Sequence, residues 1–180
     1  MILLAFLLQT IRIAVPYLLA AAGGVMSERV GIIALGLEGL MLSGAFGAAL
    51  GSYYGNSPWA GLLGALVAGG IITSLLAVST IRFRANQVVV GVAINLIVAA
   101  STRYFLRLVF DSSSNSPRVP GFGGEGVGNA MFASFLNPVV WIGLAVLPAL
   151  AWLLYRTPFG LRARAVGEKP EAAATLGVAV

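Results

Sequence analysis

The stretch that decides the fold class of this protein is Asn137–Tyr155, NPVVWIGLAVLPALAWLLY, which contains no charged residue. Asparagine followed by proline is a favoured helix start, because asparagine caps the first turn and proline fits the first helical position. A helix needs roughly 20 apolar residues to cross the hydrocarbon layer of a membrane. The stretch therefore predicts a membrane-crossing helix.

The composition of the whole chain agrees with this prediction. Of its 180 residues, 59% are hydrophobic and only 9% are charged, and the mean hydropathy is +0.96. These values lie far outside the range of soluble domains. The formal charge of +5 comes from basic residues near the ends of apolar stretches, as membrane topology requires, so we do not expect nucleic acid as a partner. The chain is predicted to be an all-α, polytopic integral membrane bundle.

Apolar stretches long enough to cross a membrane recur along the chain, and we count five. They cover residues 1–26, 30–53, 57–81, 86–110 and 137–155. A cleavable signal peptide is the competing interpretation of the first stretch. We favour a retained helix, because the basic segment that should precede the apolar run of a signal peptide is missing. Arg12 lies on the wrong side of that run.

Arginines in short loops predict the orientation of these helices. Arg82 and Arg84 follow the third span, and Arg156 follows the fifth. Basic loops stay on the cytoplasmic side, and two crossings separate these positions, so both ends are predicted to be cytoplasmic. The N-terminus and the loop over residues 111–137 are then external.

Small residues predict how the second and third spans meet. Gly47 and Gly51 form a GxxxG pattern, and Gly61, Gly64 and Ala68 recur in the next span. Small residues let helix backbones approach closely where no hydrophobic force drives helices together. A tightly packed helix pair is therefore expected.

Two charged residues interrupt the first two spans. Glu38 is the only charge in the second span, and a continuous helix would place it roughly 15 Å into the membrane. An unpaired carboxylate is costly there. We hypothesise an ion pair with Arg12 in the first span, which a double-mutant cycle would test. Alternatively, Glu38 lines the permeation path or carries protons.

Two polar side chains begin or interrupt the fourth span. Gln87 and Asn95 follow Asn86, which is a candidate helix cap. Both amides can hydrogen-bond a neutral polar solute or a neighbouring helix, and for Asn95 we favour the helix.

The sequence offers no catalytic or metal-binding pattern. Cysteine and histidine are both absent, which excludes thiol chemistry, Cys/His metal sites and histidine acid–base catalysis. Gly121, Gly123 and Gly126 match the dinucleotide pattern GxGxxG, but no strand precedes them, so we interpret the match as accidental within a flexible external loop. No metal, cofactor or enzymatic activity is expected.

The longest polar stretch is Arg156–Gly177, RTPFGLRARAVGEKPEAAATLG. We interpret it as a basic loop followed by a two-turn helix. Pro170 suits the first helical position and Gly177 the C-terminal stop, and the alanines between them favour the helix. Such a segment is expected to contact a soluble partner.

Four motifs in this order resemble the bacterial ABC importer permeases for nucleosides and simple sugars, in the branched-chain amino acid and ribose permease superfamily. They are SERVGIIALGLEGLM at residues 27–41, RFRANQVVVGVAIN at 82–95, VPGF at 119–122 and TPFGLRARAVGEKPEAAATLG at 157–177. The Glu-Ala-Ala…Gly pattern of the last motif resembles that of ABC permeases in general.

The resemblance implies a type II ABC importer-like fold in the bacterial cytoplasmic membrane. A short cytoplasmic helix would seat in a separate ATP-binding subunit, a second permease subunit would complete the pathway, and an extracytoplasmic binding protein would deliver the solute. The matching coupling positions are Arg162, Arg164, Pro170, Glu171, Ala172, Ala173 and Gly177. Nucleosides are the first expected substrate and simple sugars the second.

Residues 1–180 are predicted to form one permease domain, with residues 156–180 as its cytoplasmic coupling segment. Permeases of this type continue with further helices, so we expect a longer protein. The rival from another class is a gradient-driven transporter or channel that uses Glu38 as a proton or cation site. A purely structural membrane subunit is the third possibility.

Overall fold

The computed structural model describes residues 2–112, 115–122, 137–175 and 177, and the regular elements in these ranges are helices. In chain order they are α1 (Ile2–Arg29), α2 (Leu37–Gly55), α3 (Pro58–Ala77), a π-helical turn (Val78–Arg82), α4 (Gln87–Phe110), α5 (Pro138–Arg156), α6 (Pro158–Glu168) and α7 (Pro170–Thr175). The all-α prediction is confirmed. The chain divides into two compact units, residues 35–121 and residues 1–34 with 122–180, and each is described by itself.

Within the described residues, four helices are long and apolar enough to cross a membrane. They cover Gln9–Arg29, Pro58–Arg82, Gln87–Phe110 and Pro138–Arg156. These match four of the five predicted spans. The helix α2 in the remaining span has 19 residues and is not among these four.

The predicted start of the second span at Val30 is wrong. The structure ends α1 at Arg29, and α2 begins only at Leu37. Residues 30–36 are turn or irregular backbone, because α1 is closed by a hydrogen-bonded turn and because Leu35 and Gly36 lie against α4.

The unit formed by residues 35–121 is built on a close antiparallel pair, α2 and α3. A Cβ atom on Gly47 would overlap the carbonyl oxygen of Gly64, and one on Gly64 would overlap the carbonyl oxygen of Gly47. Such contacts are possible only between residues without side chains. The packing predicted from the small-residue pattern is therefore confirmed.

The other unit pairs α1 with α5. Val15 is 3% exposed, and its Cγ1 fills the space where Gly143 lacks a Cβ. Both residues lie about 20 Å from the last residue of their own helix, at 1.5 Å per residue. The two helices therefore end on the same side, where α6 contacts both.

Many apolar side chains face away from the protein, as expected for a lipid-facing surface. Along α3, Leu63, Leu66 and Val67 are all more than 60% exposed. In water such a surface would promote association, whereas lipid chains cover it without cost. This pattern supports the assignment to the membrane.

The helix starts predicted from local sequence are confirmed. The Asn86 side chain accepts hydrogen bonds from Val88 N at 2.9 Å and Val89 N at 3.4 Å, and the Asn137 side chain accepts from Val139 N at 3.0 Å. Ser57 occupies the cap position of α3, where its carbonyl oxygen accepts from Gly61 N, but its side chain makes no capping bond.

Candidate functional site

The predicted coupling segment contains two helices rather than a loop and a helix. Residues 158–168, expected to be a basic loop, form α6. Thr157 caps this helix: its hydroxyl accepts from Gly160 N at 3.2 Å and donates to the carbonyl oxygen of Leu153. Pro158 occupies the first turn, where its missing N–H costs nothing. The prediction of a loop rested on the basic charges and overlooked the helix signals of Thr157 and Pro158.

The turn between α5 and α6 is tight because of one glycine. A Cβ on Gly160 would overlap the carbonyl oxygens of Leu153 and Leu154. The first turn of α6 therefore rests directly on the last turn of α5, and the TPFG sequence fixes the direction in which α6 leaves the membrane helix.

The two arginines proposed for coupling have different surroundings. Arg164 is half-buried, and its guanidinium carbon lies 5.0 Å from the centre of the Tyr155 ring in α5. This is within the range of a cation–π interaction. Its Nε is buried without a hydrogen-bond partner in the described part of the chain. Arg162 is exposed. Arg164 thus helps to hold α6 on α5, whereas Arg162 is open to a partner.

The short helix α7 begins at Pro170, as predicted. Gly177 follows it with a φ of +77° and donates its N–H to the carbonyl oxygen of Ala174, which is the predicted glycine stop. Ala173 is 2% exposed, whereas Pro170, Glu171 and Ala172 are exposed. The helix therefore anchors one alanine in the protein and leaves an open face.

The far end of α6 rests on the end of α1. A Cβ on Gly167 would overlap the carbonyl oxygen of Arg29, and Gly167 Cα lies 3.3 Å from the position of a Cβ on Gly31. Gly31 has a φ of +88°. Ile32 N donates to Ser27 O at 2.9 Å, and Gly31 N to Glu28 O at 3.0 Å, which is the Schellman pattern of a helix end.

Asn95 joins α4 to the beginning of α2. Its Oδ1 accepts from Gly39 N at 2.8 Å, and its Nδ2 donates to the carbonyl oxygen of Leu35 at 3.0 Å. The helix–helix bonding predicted for Asn95 is therefore confirmed. Because Asn95 lies about 12 Å along α4 from Gln87, α2 begins partway along that candidate span.

Glu38 lies in the first turn of α2 and is exposed. The continuous helix assumed for its depth is wrong, since residues 30–36 are not helical. A carboxylate is favoured near the positive end of a helix, so its position has a structural reason. The Arg12 side chain lies outside the described residues, and the two residues belong to different units, so their ion pair stays a prediction.

The structure does not bring Gln87 and Asn95 together. Gln87 is the first residue of α4, two turns away from Asn95. One polar solute bound by both side chains is therefore not supported within the described residues.

Pro120 of the VPGF motif lies against the C-terminal end of α2. Ser52 is 4% exposed, and its hydroxyl donates to the carbonyl oxygen of Pro120 at 2.6 Å. Gly123 and Gly126 of the GxGxxG match lie outside the described residues, so the loop prediction is untested there.

Sequence reasoning missed Ser52, Gly160 and Gly167. The signal for Gly31, a glycine two residues after the Arg29 that ends α1, was readable. Those for the other three were not, because their partners are distant in the sequence or contribute only backbone atoms.

Four apolar candidate spans and a polar helix pair at the ends of α1 and α5 define this chain as a multi-pass helical membrane protein. A family model described as "Branched-chain amino acid transport system / permease component" matches residues 6–180. The chain belongs to this permease family, which confirms the resemblance of its motifs.

Similar proteins include two permeases named for nucleosides. The guanosine ABC transporter permease protein NupQ of Bacillus subtilis is 38% identical over 95% of this chain and 58% of its own length. The nucleoside ABC transporter permease protein NupC of Lactococcus lactis is 35% identical, over 92% of this chain and 56% of its own. This chain thus spans about half the length of these relatives.

A third relative has a different substrate in its name. A protein of Haloferax volcanii, provisionally named as a glucose ABC transporter permease, is 33% identical over 95% of this chain and 54% of its own length. No solved structure matches the chain significantly.

Proposed function

We propose that this chain serves in the permease subunit of an ATP-driven importer in the bacterial cytoplasmic membrane, where it couples solute passage to ATP hydrolysis on a separate subunit. The observation that carries this proposal is the open face of α7, formed by Pro170, Glu171 and Ala172 on a helix that Ala173 anchors. The named relatives are ABC transporter permeases, which supports the same conclusion.

Nucleosides are the proposed substrate, with simple sugars as the second candidate. Two relatives named for guanosine or nucleosides are more similar to this chain than the relative named for glucose. An extracytoplasmic binding protein would deliver the solute, and a second permease subunit would complete the pathway.

We expect one acidic contact from the open face of α7. Glu171 is exposed in the first turn of α7, and we propose that its carboxylate contacts the ATP-binding subunit. Arg162 is the second contact, whereas Arg164 acts through Tyr155. An exposed charge pair at the rim of an interface contributes little affinity by itself, so several α7 positions are expected to share the contact.

The test uses the full-length permease with its ATP-binding subunit in proteoliposomes. Glu171→Ala is compared with Glu168→Ala. Glu168 is an exposed glutamate in α6, and its substitution removes the same charge. We expect Glu171→Ala to weaken subunit binding and nucleoside uptake, and Glu168→Ala to change neither. Equal effects of the two variants would reject α7 as the docking face.

The gradient-driven alternative makes a different prediction. Uptake that continues without ATP, stops with an uncoupler and ignores Glu171 would favour a secondary transporter using Glu38. The ABC names of the relatives argue against this alternative.

A further inference from the structure

We infer that Gly167 is a positioning residue that passes movement of the coupling helix α7 to the end of α1. The inference rests on the proposed coupling function and adds the contact through which it operates. It follows from how α6 is held at its two ends.

The coupling helix is joined to α6 with almost no slack. Lys169 is the only residue between the helices. Its N–H donates to Ala165 O, and its carbonyl accepts from Ala173 N, both at 3.1 Å. The hydrogen-bond ladder therefore runs from one helix into the next, so a force on α7 acts directly on the C-terminal turn of α6.

That turn of α6 meets α1 through backbone atoms. Gly167 lies against the carbonyl oxygen of Arg29 and close to Gly31. A contact between side chains can absorb movement by changing rotamers, whereas a backbone contact lacks that freedom. Displacement of Gly167 is thus transferred to the chain at Arg29 and Val30.

The receiving turn is stiff enough to transfer this movement. Three backbone hydrogen bonds close it, including the 3.1 Å bond from Val30 N to Ser27 O. At the other end, Gly160 rests on α5. The helix α6 is therefore supported at one end and delivers movement at the other, like a lever.

A methyl group at Gly167 tests this role. Gly167→Ala removes no polar group and leaves the open face of α7 unchanged, but it separates α6 from Arg29. In proteoliposomes with the ATP-binding subunit, we expect unchanged subunit binding. Nucleoside uptake per ATP hydrolysed should fall roughly three- to thirtyfold, the range reported for mutations along coupling networks. Gly23→Ala is the matched control, because a Cβ at Gly23 meets no atom within 4 Å.

The outcomes separate this inference from the proposed function. If the unaltered permease fails to bind the ATP-binding subunit, the proposed function fails. If subunits bind and Gly167→Ala transports as efficiently as Gly23→Ala, the lever role of Gly167 is rejected while the proposed function stands.

A cross-link gives a second test if Gly167→Ala does not fold. Residues 1–180 contain no cysteine, so in a permease with any cysteine elsewhere replaced by serine, Val30→Cys with Glu168→Cys can be joined by a bifunctional thiol reagent. If the contact moves as one body, the cross-linked permease should retain uptake. Loss of uptake on cross-linking, with the two unlinked cysteines harmless, would show that the contact must open and would overturn the inference.

Discussion

The backbone N–H of Gly39 donates a hydrogen bond to Asn95 Oδ1 at 2.8 Å, so the side-chain amide of Asn95 in α4 fixes the first turn of α2. The same amide donates to the carbonyl of Leu35 on the other side of the helix start. One side chain therefore satisfies an N–H group that the start of α2 leaves free and a carbonyl of the irregular segment before it. This explains why α2 can begin away from the end of its neighbour.

Loss of this amide should destabilise the unit formed by residues 35–121. Asn95→Ala removes both hydrogen bonds and leaves Gly39 N–H and Leu35 C=O without them, so we expect a loss of about 1–3 kcal/mol. Thermal unfolding of the purified protein in detergent measures this loss. Thr73→Val is the control, since the Thr73 hydroxyl bonds only to its own helix at Gly69 O. Equal stability of the two variants would contradict the role of Asn95.

The α2–α3 interface predicts different effects for two glycines of the same helix. Gly64→Ala places a methyl group against the carbonyl of Gly47 and should cost about 1–3 kcal/mol, as overpacking does. Gly69→Ala meets no atom within 4 Å and should be neutral or stabilise α3 by up to about 1 kcal/mol. Thermal unfolding of the two variants measures the difference. Similar stabilities would show that the helices do not pack as described.

The Ser52 hydroxyl should hold the loop that contains Pro120. Ser52→Ala removes the bond to Pro120 O and should cost about 1 kcal/mol. Because Arg118 is exposed two residues before Pro120, trypsin should cut there faster in the variant. Ser74→Ala removes a hydroxyl that bonds within α3 and should leave the cleavage rate unchanged. Unaltered cleavage of both variants would indicate that the loop is held elsewhere.

We expect Arg162 and Arg164 to have different roles. Arg162 should bind the ATP-binding subunit, and Arg164 should hold α6 on α5. Arg164→Ala loses the cation–π contact with Tyr155 and should lower stability by about 0.5–1 kcal/mol. Arg162→Ala should not change stability, because its side chain is exposed, but should weaken binding of the ATP-binding subunit. Tyr155→Leu should reproduce the stability loss of Arg164→Ala, and a Tyr155→Leu variant as stable as the unaltered protein would exclude the contact.

Local sequence predicted the helix ends well. Asn86 and Asn137 cap their helices, Pro170 begins α7, and Gly177 follows it with a positive φ. These features depend on the backbone geometry of a few consecutive residues, so a short sequence window contains the information needed. The apolar character of four spans was readable for the same reason.

The two errors have different causes, because the first segment depends on distant residues, whereas in the second the basic charges were given more weight than local helix signals. Hydropathy extended the second span from Val30, but the irregular segment before α2 lies against Gly91 and Asn95, nearly 60 positions away. The basic charges of residues 158–168 led to the prediction of a loop. A helix begins there instead, because Thr157 caps it and Gly160 packs closely against α5.

The sequence by itself determined the class of this protein, four of its candidate spans and the place of the short helix α7, because hydropathy and capping act over one or two turns. Only the tertiary structure decided which glycines outside the α2–α3 small-residue pattern make close contacts. Gly167 and Gly69 both lie within helices, yet one lies against the end of α1 and the other meets no atom within 4 Å. That difference depends on which backbone approaches each glycine, and the approach is set by the packing of whole helices.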